Sequence, residues 1–452
     1  EGPALAIGDM NGDGLDDIFV GSAKRTKSAV FLQQAPGKFT RSPQPALDKD
    51  SVYEDVDACW VDVNNDKKTD LVVCSGGNEY FGNDAYMQPR VYLNDGNGNL
   101  VKEEHSFDGI FLTGSCVAPY DFNGDGFVDL FVGARAVPKE YGKRPASYLL
   151  LNDGTGKFKD VTAQYSKEIG DAGFITAALW FDIDKDGDKD LLVAPEWGSI
   201  TAYINNGSSF TTKELNTAKG WWNCIIPFDA DNDGDIDIIA GNLGLNSRLQ
   251  ASAKEPVRLY YNDFDDNGTK EQVLTYYLNG KEICFAGIGE VENQMPELKK
   301  KFLYAEDFAK ASLDDIFGAQ KLANSKILTA DYFQSALLIN KGNFSFEMKA
   351  LPWQTQLSTI RDAVVIDANH DGLPDILTAG NFYDNNIGLG RYDADYGGIL
   401  VNKGSGNFEY QGLNGLALTG QVRHIKSISI ANKQAYVVAR NNDSLMVITP
   451  VK

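Results

Sequence analysis

Six segments of this chain set acidic and amide side chains at alternate positions and then turn apolar: 9–17, 62–70, 121–129, 182–190, 229–237 and 367–375. Each reads D-x-[DN]-x-D-x-x-x-D. The residues at positions 1, 3, 5 and 9 are Asp9, Asn11, Asp13 and Asp17; Asp62, Asn64, Asp66 and Asp70; and Asp121, Asn123, Asp125 and Asp129. In the later copies they are Asp182, Asp184, Asp186 and Asp190; Asp229, Asp231, Asp233 and Asp237; and Asp367, Asn369, Asp371 and Asp375. Oxygens at these positions converge if the backbone curls tightly, and a carbonyl at position 7 with a water completes a shell of hard ligands. Position 6 is Gly in every copy except 62–70, where Lys67 stands. Oxygen donors without His or Cys ligands favour a hard cation over zinc. An Asp/Asn/Gly turn without metal would explain one copy. Six copies at fixed spacing form an internal repeat, and the expected cofactor is calcium, about five to six ions.

Two loops are weaker. Lys67 brings strain if φ is positive and adds a positive charge, so the lowest affinity is expected there. The stretch 262–271 imitates the pattern, with Asn267 at position 5 and Glu271 at position 9, and its metal binding is left open.

These loops need rigid flanks. An EF-hand would supply a helix on each side and Glu at position 12. Here the loop is followed by runs such as "LFV", "LLV" and "IIA", which read as strands, so each loop is a hairpin tip. A second hairpin with a Gly/Asn turn follows in 90–102, 148–161, 201–213 and 398–410. Four antiparallel strands per repeat of roughly 50–60 residues predict an all-β fold, a β-propeller. The count reads seven blades, with eight as the alternative. The propeller is expected to span 1–452, with 242–334 inserted between the two hairpins of the fifth blade. Strands and a helical stretch over 295–323 are expected there, with Phe308, Leu313, Ile316 and Phe317 on its apolar face. The last unit, 422–450, lacks an acidic loop and offers about three strands. An early segment, or residues before Glu1, could complete that sheet.

The bulk numbers bound the function. The chain has 452 residues, 43% of them hydrophobic, enough for a large core. Its net charge of −21 argues against nucleic acid. No segment offers the roughly 18 apolar residues of a membrane span. The chain opens "EGPALAIGDM", without initiator Met or signal peptide, and is expected to be a mature or trimmed segment. Cys59, Cys74, Cys116, Cys224 and Cys284 lack C-x-x-C spacing and read as buried thiols. His105, His370 and His424 are the three histidines, and none accompanies a nucleophile motif, H-E-x-x-H or P-loop.

The repeats resemble FG-GAP/VCBS repeats, which also build integrin α-chain propellers. The segments "GWWNCI" (220–225), "AGNLGLNS" (240–247), "QMPELKKKF" (294–302), "GNFYDNNIGLGRYDADYGG" (380–398) and "VARNNDSL" (438–445) narrow the match. They resemble VCBS-repeat proteins of Bacteroidota related to the ASPIC/UnbV and cartilage-acidic-protein group. That resemblance implies a secreted or surface lipoprotein, anchored at the outer membrane through a lipidated Cys before Glu1. It also implies association with a SusC/SusD-type transport system. The expected function is a non-catalytic binding or accessory subunit at the cell surface, with a protein partner. A glycan-binding module is the alternative, with Trp197, Trp221, Trp222, Tyr383, Arg391, Tyr392 and Tyr396 as candidate sugar contacts, or else as packing between blades. A polysaccharide lyase or hydrolase is the third reading.

Overall fold

The computed structural model describes residues 2–450. Each of the six acidic loops joins two antiparallel strands. These pairs are Leu5–Gly8 with Asp17–Val20, Asp55–Val61 with Asp70–Ser75, and Thr113–Tyr120 with Asp129–Ala136. The later pairs are Phe174–Phe181 with Asp190–Gly198, Cys224–Phe228 with Asp237–Gly241, and Ile360–Ile366 with Asp375–Gly380. Two more strands follow in each sheet, and in the fourth Gly220–Trp221 also pairs with Asp190–Gly198. In all six units the turn between the two added strands places a glycine (Gly37, Gly96, Gly154, Gly207, Gly342, Gly404) at positive φ, a conformation that glycine adopts without a Cβ clash. A seventh sheet has three strands among the described residues: Gln421–Ile430, Lys433–Asn441 and Met446–Ile448. Leu5–Gly8 heads the first sheet rather than completing this one.

The strands after the acidic loops are apolar on both faces because each sheet is covered on both sides. Leu130 and Val132 pack toward the preceding sheet, and Phe131 packs toward the next. Leu192 and Ala194 turn one way while Leu191 and Val193 turn the other. Period-2 alternation thus fills two interfaces at once. An apolar cluster fills every gap between consecutive sheets, and one of Leu5, Ile18, Ile428 and Val437 joins the last sheet to the first. The first strand of each unit packs on the first strand of the next, and Gln421–Ile430 packs back on Leu5–Gly8. The fold is all-β and propeller-like.

Asp237–Gly241 pairs directly with Ala336–Asn340, so the intervening residues leave and rejoin one sheet. They carry their own four-stranded sheet: Lys281–Cys284, Glu271–Leu278, Val257–Asn262 and Lys326–Ala330, in that order. The expected helical stretch 295–323 is divided into Leu298–Lys301, Ala305–Lys310, Leu313–Phe317 and Ala319–Ala323, after an earlier helix at Ile288–Gln294. Pro296 lies in the break after the earlier helix. Ser312 starts a new helix with a capping box to Asp315, and Gly318 at φ +84 separates the last two. Phe308, Ile316 and Phe317 are buried as expected, and Leu313 is half-buried against the same cluster. Cys74, Cys116 and Cys224 are buried thiols, whereas Cys59 and Cys284 are only half-buried, and none of the five forms a disulfide among the described residues. No described helix is long and apolar enough to cross a membrane.

Candidate metal centres

The acidic loops share one hydrogen-bond scheme. The position-1 carboxylate accepts from the position-6 N–H: Gly14 to Asp9 at 2.8 Å, Lys67 to Asp62 at 2.7 Å, Gly126 to Asp121 at 2.8 Å. The same bond recurs at Gly187 to Asp182, Gly234 to Asp229 and Gly372 to Asp367. The position-5 carboxylate accepts from the position-7 N–H throughout: Asp13, Asp66, Asp125, Asp186, Asp233 and Asp371. Asn11, Asn64, Asn123, Asp184 and Asn369 accept from the position-5 N–H. The loop thus curls around its own side-chain oxygens, as the spacing implied. Position 6 lies at positive φ, and Lys67 is forced there at φ +66. Position 4 is also left-handed, which the motif had not indicated. Gly12 and Gly124 take it freely, while Asn65, Lys185, Asn232 and His370 do so as non-glycine residues.

Position 9 differs from the others. Asp17, Asp70, Asp129, Asp190, Asp237 and Asp375 are buried, at most 1% exposed. One oxygen of each accepts from a backbone N–H on the third strand: Gln33, Asn94, Asn152, Asn205, Asn340 and Asn402, at 2.7–2.9 Å. The other oxygen accepts from the position-2 N–H in five loops. The sixth, Asp129 Oδ2, is buried without a hydrogen-bond partner. Burial pushes the carboxyls of Asp17, Asp70, Asp190 and Asp237 up to about 6 and that of Asp129 up to about 7; the loop aspartates add to the rise and the backbone donors oppose it.

Three sets of carboxylate oxygens lie within 4.8 Å of one another: Asp182, Asp184 and Asp190; Asp229, Asp231 and Asp237; and Asp263, Asp265 and Glu271. Asp182 Oδ1, Asp229 Oδ1 and Asp231 Oδ1 are buried and accept no hydrogen bond. Buried carboxylate oxygens without a donor call for a cation, and all-oxygen donor sets suit calcium. In the first, second, third and sixth loops an amide replaces the second carboxylate, which lowers the charge and leaves an oxygen in place. The 263–271 loop repeats the scheme, with Gly268 donating to Asp263 at 2.9 Å and Phe264 to Glu271 at 2.8 Å.

Residues that the motif search passed over join the loops together. Asn94 Nδ2 donates to the Met10 carbonyl of the preceding loop, Asn152 to Val63, Asn205 to Phe122 and Asn402 to Ala230, at 2.6–2.9 Å. Gln33 Nε2 reaches the Ser429 carbonyl of the last sheet at 3.2 Å. Lys185 pairs with Asp235 across two neighbouring loops at 2.6 Å. Consecutive acidic loops therefore sit side by side on one face. The signal was present in the recurrent "LND", "INN" and "VNK" of the second hairpins, which read as turn residues only.

The candidate sugar contacts fare differently. Trp197, Trp222 and Tyr392 are buried in apolar clusters, and Trp221 packs edge-on against Trp197 with centroids 5.0 Å apart. Trp197 and Tyr392 face the core at the seam with the insertion, and Trp222 fills the gap between the fourth and fifth sheets. Tyr383 is half-buried under the Arg391 guanidinium, and Tyr396 is exposed. His424 is held neutral: burial, then Lys426, lowers its imidazole to about 3. His105 lies exposed beside Asp108, and His370 sits in the sixth acidic loop.

Comparison with known proteins agrees with the repeat structure. The FG-GAP-like repeat model matches residues 9–73, 62–132, 141–193 and 182–240. A phosphatidylinositol-glycan-specific phospholipase D of Bos taurus is 32% identical over 185 residues, 36% of this chain and 22% of that relative. The chain thus spans under a quarter of that relative's length. Among solved structures, BBS1N in complex with ARL6DN aligns with a TM-score of 0.45 at 10% identity, covering 100% of this chain and 92% of that one. The V. cholerae biofilm matrix protein Bap1 aligns with a TM-score of 0.38 at 10% identity, covering 100% and 87%. The chain contains four FG-GAP-like repeats, and its acidic loops lie within them and beyond them.

Proposed function

We propose that this chain is a calcium-stabilised, non-catalytic propeller of seven blades that works outside the cell as a binding or accessory subunit. The blade count is supported by the first-strand contacts, which run through seven sheets and return to the first. FG-GAP-like repeats are typically extracellular and generally non-enzymatic, which supports the location and the absence of chemistry. The phospholipase activity in the name of the bovine relative belongs to a protein of which this chain covers 22%.

One observation carries the calcium reading: among the described residues Asp182 Oδ1, Asp229 Oδ1 and Asp231 Oδ1 are buried and accept no hydrogen bond, while the Gly187 and Gly234 N–H groups bond the other oxygens of Asp182 and Asp229. Residues at positions 1, 3, 5 and 9 would hold the ion, and extracellular calcium would fill even modest sites. The ion would tie the face together, because Asn94, Asn152, Asn205 and Asn402 bond four loops to their predecessors and Lys185 pairs with Asp235 between the fourth and fifth. The resemblance of the second half supplies the proposed setting, a surface lipoprotein beside a SusC/SusD-type transporter.

The test has two arms. Calorimetric titration should count five to six calcium ions and a higher melting temperature in calcium than in chelator; equal melting in both overturns the calcium reading. Affinity purification of the protein from native cell envelopes should recover an outer-membrane transporter in calcium and lose it in chelator. Recovery of the chain alone in both conditions overturns the partner reading.

A further inference from the structure

On the face opposite the acidic loops, the second and third units and the insertion meet around a cavity of about 730 Å³. That size lies in the range of small-molecule sites. Its walls include Glu54, Asn78, Glu79, Arg135, Lys139 and Gln272. We propose that this cavity is a binding site for a neutral saccharide. The inference rests on the binding-module reading and names its ligand class.

Charge narrows the class first. The chain as a whole carries −21. The cavity instead mixes two carboxylates, Glu54 and Glu79, with two cations, Lys139 and the Glu196-paired Arg135, so its lining carries both signs. An acidic pocket would suit a cationic guest and a basic one a polyanion; one of mixed sign suits an uncharged ligand. Hydrogen bonding narrows it further. A sugar hydroxyl both donates and accepts, so its site must offer both. Among the described residues Gln272 and Glu79 spend no side-chain hydrogen bond, and Asn78 spends only its Oδ1, which accepts from Lys139 N at 2.9 Å. The amide Nδ2 of Asn78, both polar ends of Gln272 and the Glu79 carboxylate remain for a ligand.

The walls are held in place. Arg135 is fixed to Glu196 at 2.6 Å, and the Tyr141 hydroxyl donates to the same carboxylate at 2.7 Å. Gly77, at φ +93, lets two carboxylates approach its α-carbon: a β-carbon there would stand 3.0 Å from Glu54 Oε2 and 3.2 Å from Glu79 Oε2. The insertion is clamped beside the cavity, since the Tyr261 ring lies against Gly142 and its hydroxyl donates to Glu140 at 3.2 Å. At the rim the same 78–87 loop exposes apolar rings. Phe81 is 57% exposed with Lys139 Nζ 3.6 Å from its centroid, and Tyr80 and Tyr86 pack at 4.7 Å. Such rings offer a flat surface to the C–H face of a pyranose. Of the candidate sugar contacts read from the sequence, Trp197, Trp222 and Tyr392 are buried and Tyr396 is exposed elsewhere; the exposed rings of the 78–87 loop form a separate aromatic shelf.

The test is titration calorimetry of the calcium-loaded protein with cellohexaose, xylohexaose, mannohexaose and chitohexaose, with alginate and decalysine as charged probes. At least one neutral hexasaccharide should bind. Gln272→Ala and Glu79→Gln should each weaken it about tenfold or more, at unchanged melting temperature, while Trp353→Ala, a control on an exposed ring elsewhere, should leave it intact. Binding that survives both cavity variants, binding of decalysine or alginate alone, or binding of no probe overturns the proposal. The calcium-dependent melting of the same samples reports separately on the scaffold.

Discussion

Asn205 offers the sharpest test of how the acidic loops are joined. It is 2% exposed. Its Nδ2 donates to the Phe122 carbonyl in the preceding loop at 2.9 Å, and its Oδ1 accepts from Gly207 N at 2.9 Å. Asn205→Ala leaves the buried carbonyl without a partner and hands the N–H of exposed Gly207 to water. The orphaned carbonyl costs roughly 1–3 kcal/mol and the lost bond to Gly207 about 1 kcal/mol, so the change should cost about 2–4 kcal/mol. An unfolding entropy of about 2.1 cal/mol/K per residue makes this about 1 °C per kcal/mol for a chain of this length, hence a fall of about 2–4 °C. Differential scanning calorimetry in saturating calcium reads it. Asn206→Ala, whose side chain bonds in exposed surroundings, should stay within about 1 °C. Because Phe122 is the second residue of the 121–129 loop, Asn205→Ala should also weaken calcium there several-fold. Equal melting of the two variants would refute the view that the asparagines tie one loop to the next.

Further outcomes follow from the same geometry. Lys67→Gly should stabilise the protein by about 1 kcal/mol, since Lys67 sits at φ +66, and should raise calcium affinity at 62–70; a denaturant series and a calcium titration check both. In chelator the melting temperature should fall between pH 5 and pH 7.5. Seven buried carboxyls, Asp17, Asp57, Asp70, Asp129, Asp190, Asp237 and Asp395, are raised from 3.8 to about 6–7, so their stabilisation is complete below about 4 and lost as pH rises through 6–7. His424, lowered to about 3, opposes this as one group against seven. Calcium needs the ionised carboxylates, so the melting gain it gives should grow over the same window. Gly142→Ala should loosen the insertion, because a β-carbon would stand 3.1 Å from the Tyr261 ring and φ is +104; faster proteolytic cutting within 242–335 at unchanged core melting would show it. Phe131→Ala, at a fully buried site between the third and fourth sheets, should cost about 3–5 kcal/mol by chemical denaturation.

Local chemistry was legible without coordinates. An aspartate at every second position around a glycine can only curl on itself, and a run such as "LFV" after it must bury both faces, so the loops, hairpins and four-stranded units could be read from spacing. Non-local contacts were not legible. Asn94, Asn152, Asn205 and Asn402 look like turn residues until the neighbouring sheet brings a carbonyl within 3 Å. Trp197 and Trp222 look like surface rings until the insertion covers one and the fifth sheet the other. The helical stretch was placed, but its division depended on a capping box and a left-handed glycine that short-range periodicity does not weigh. Sequence by itself determined which residues would curl into oxygen-lined loops, because those bonds close within nine residues. Only the tertiary structure decided which loops touch, which aromatics see solvent, and where three distant segments enclose a cavity, because those depend on chain segments dozens to hundreds of residues apart meeting at one place.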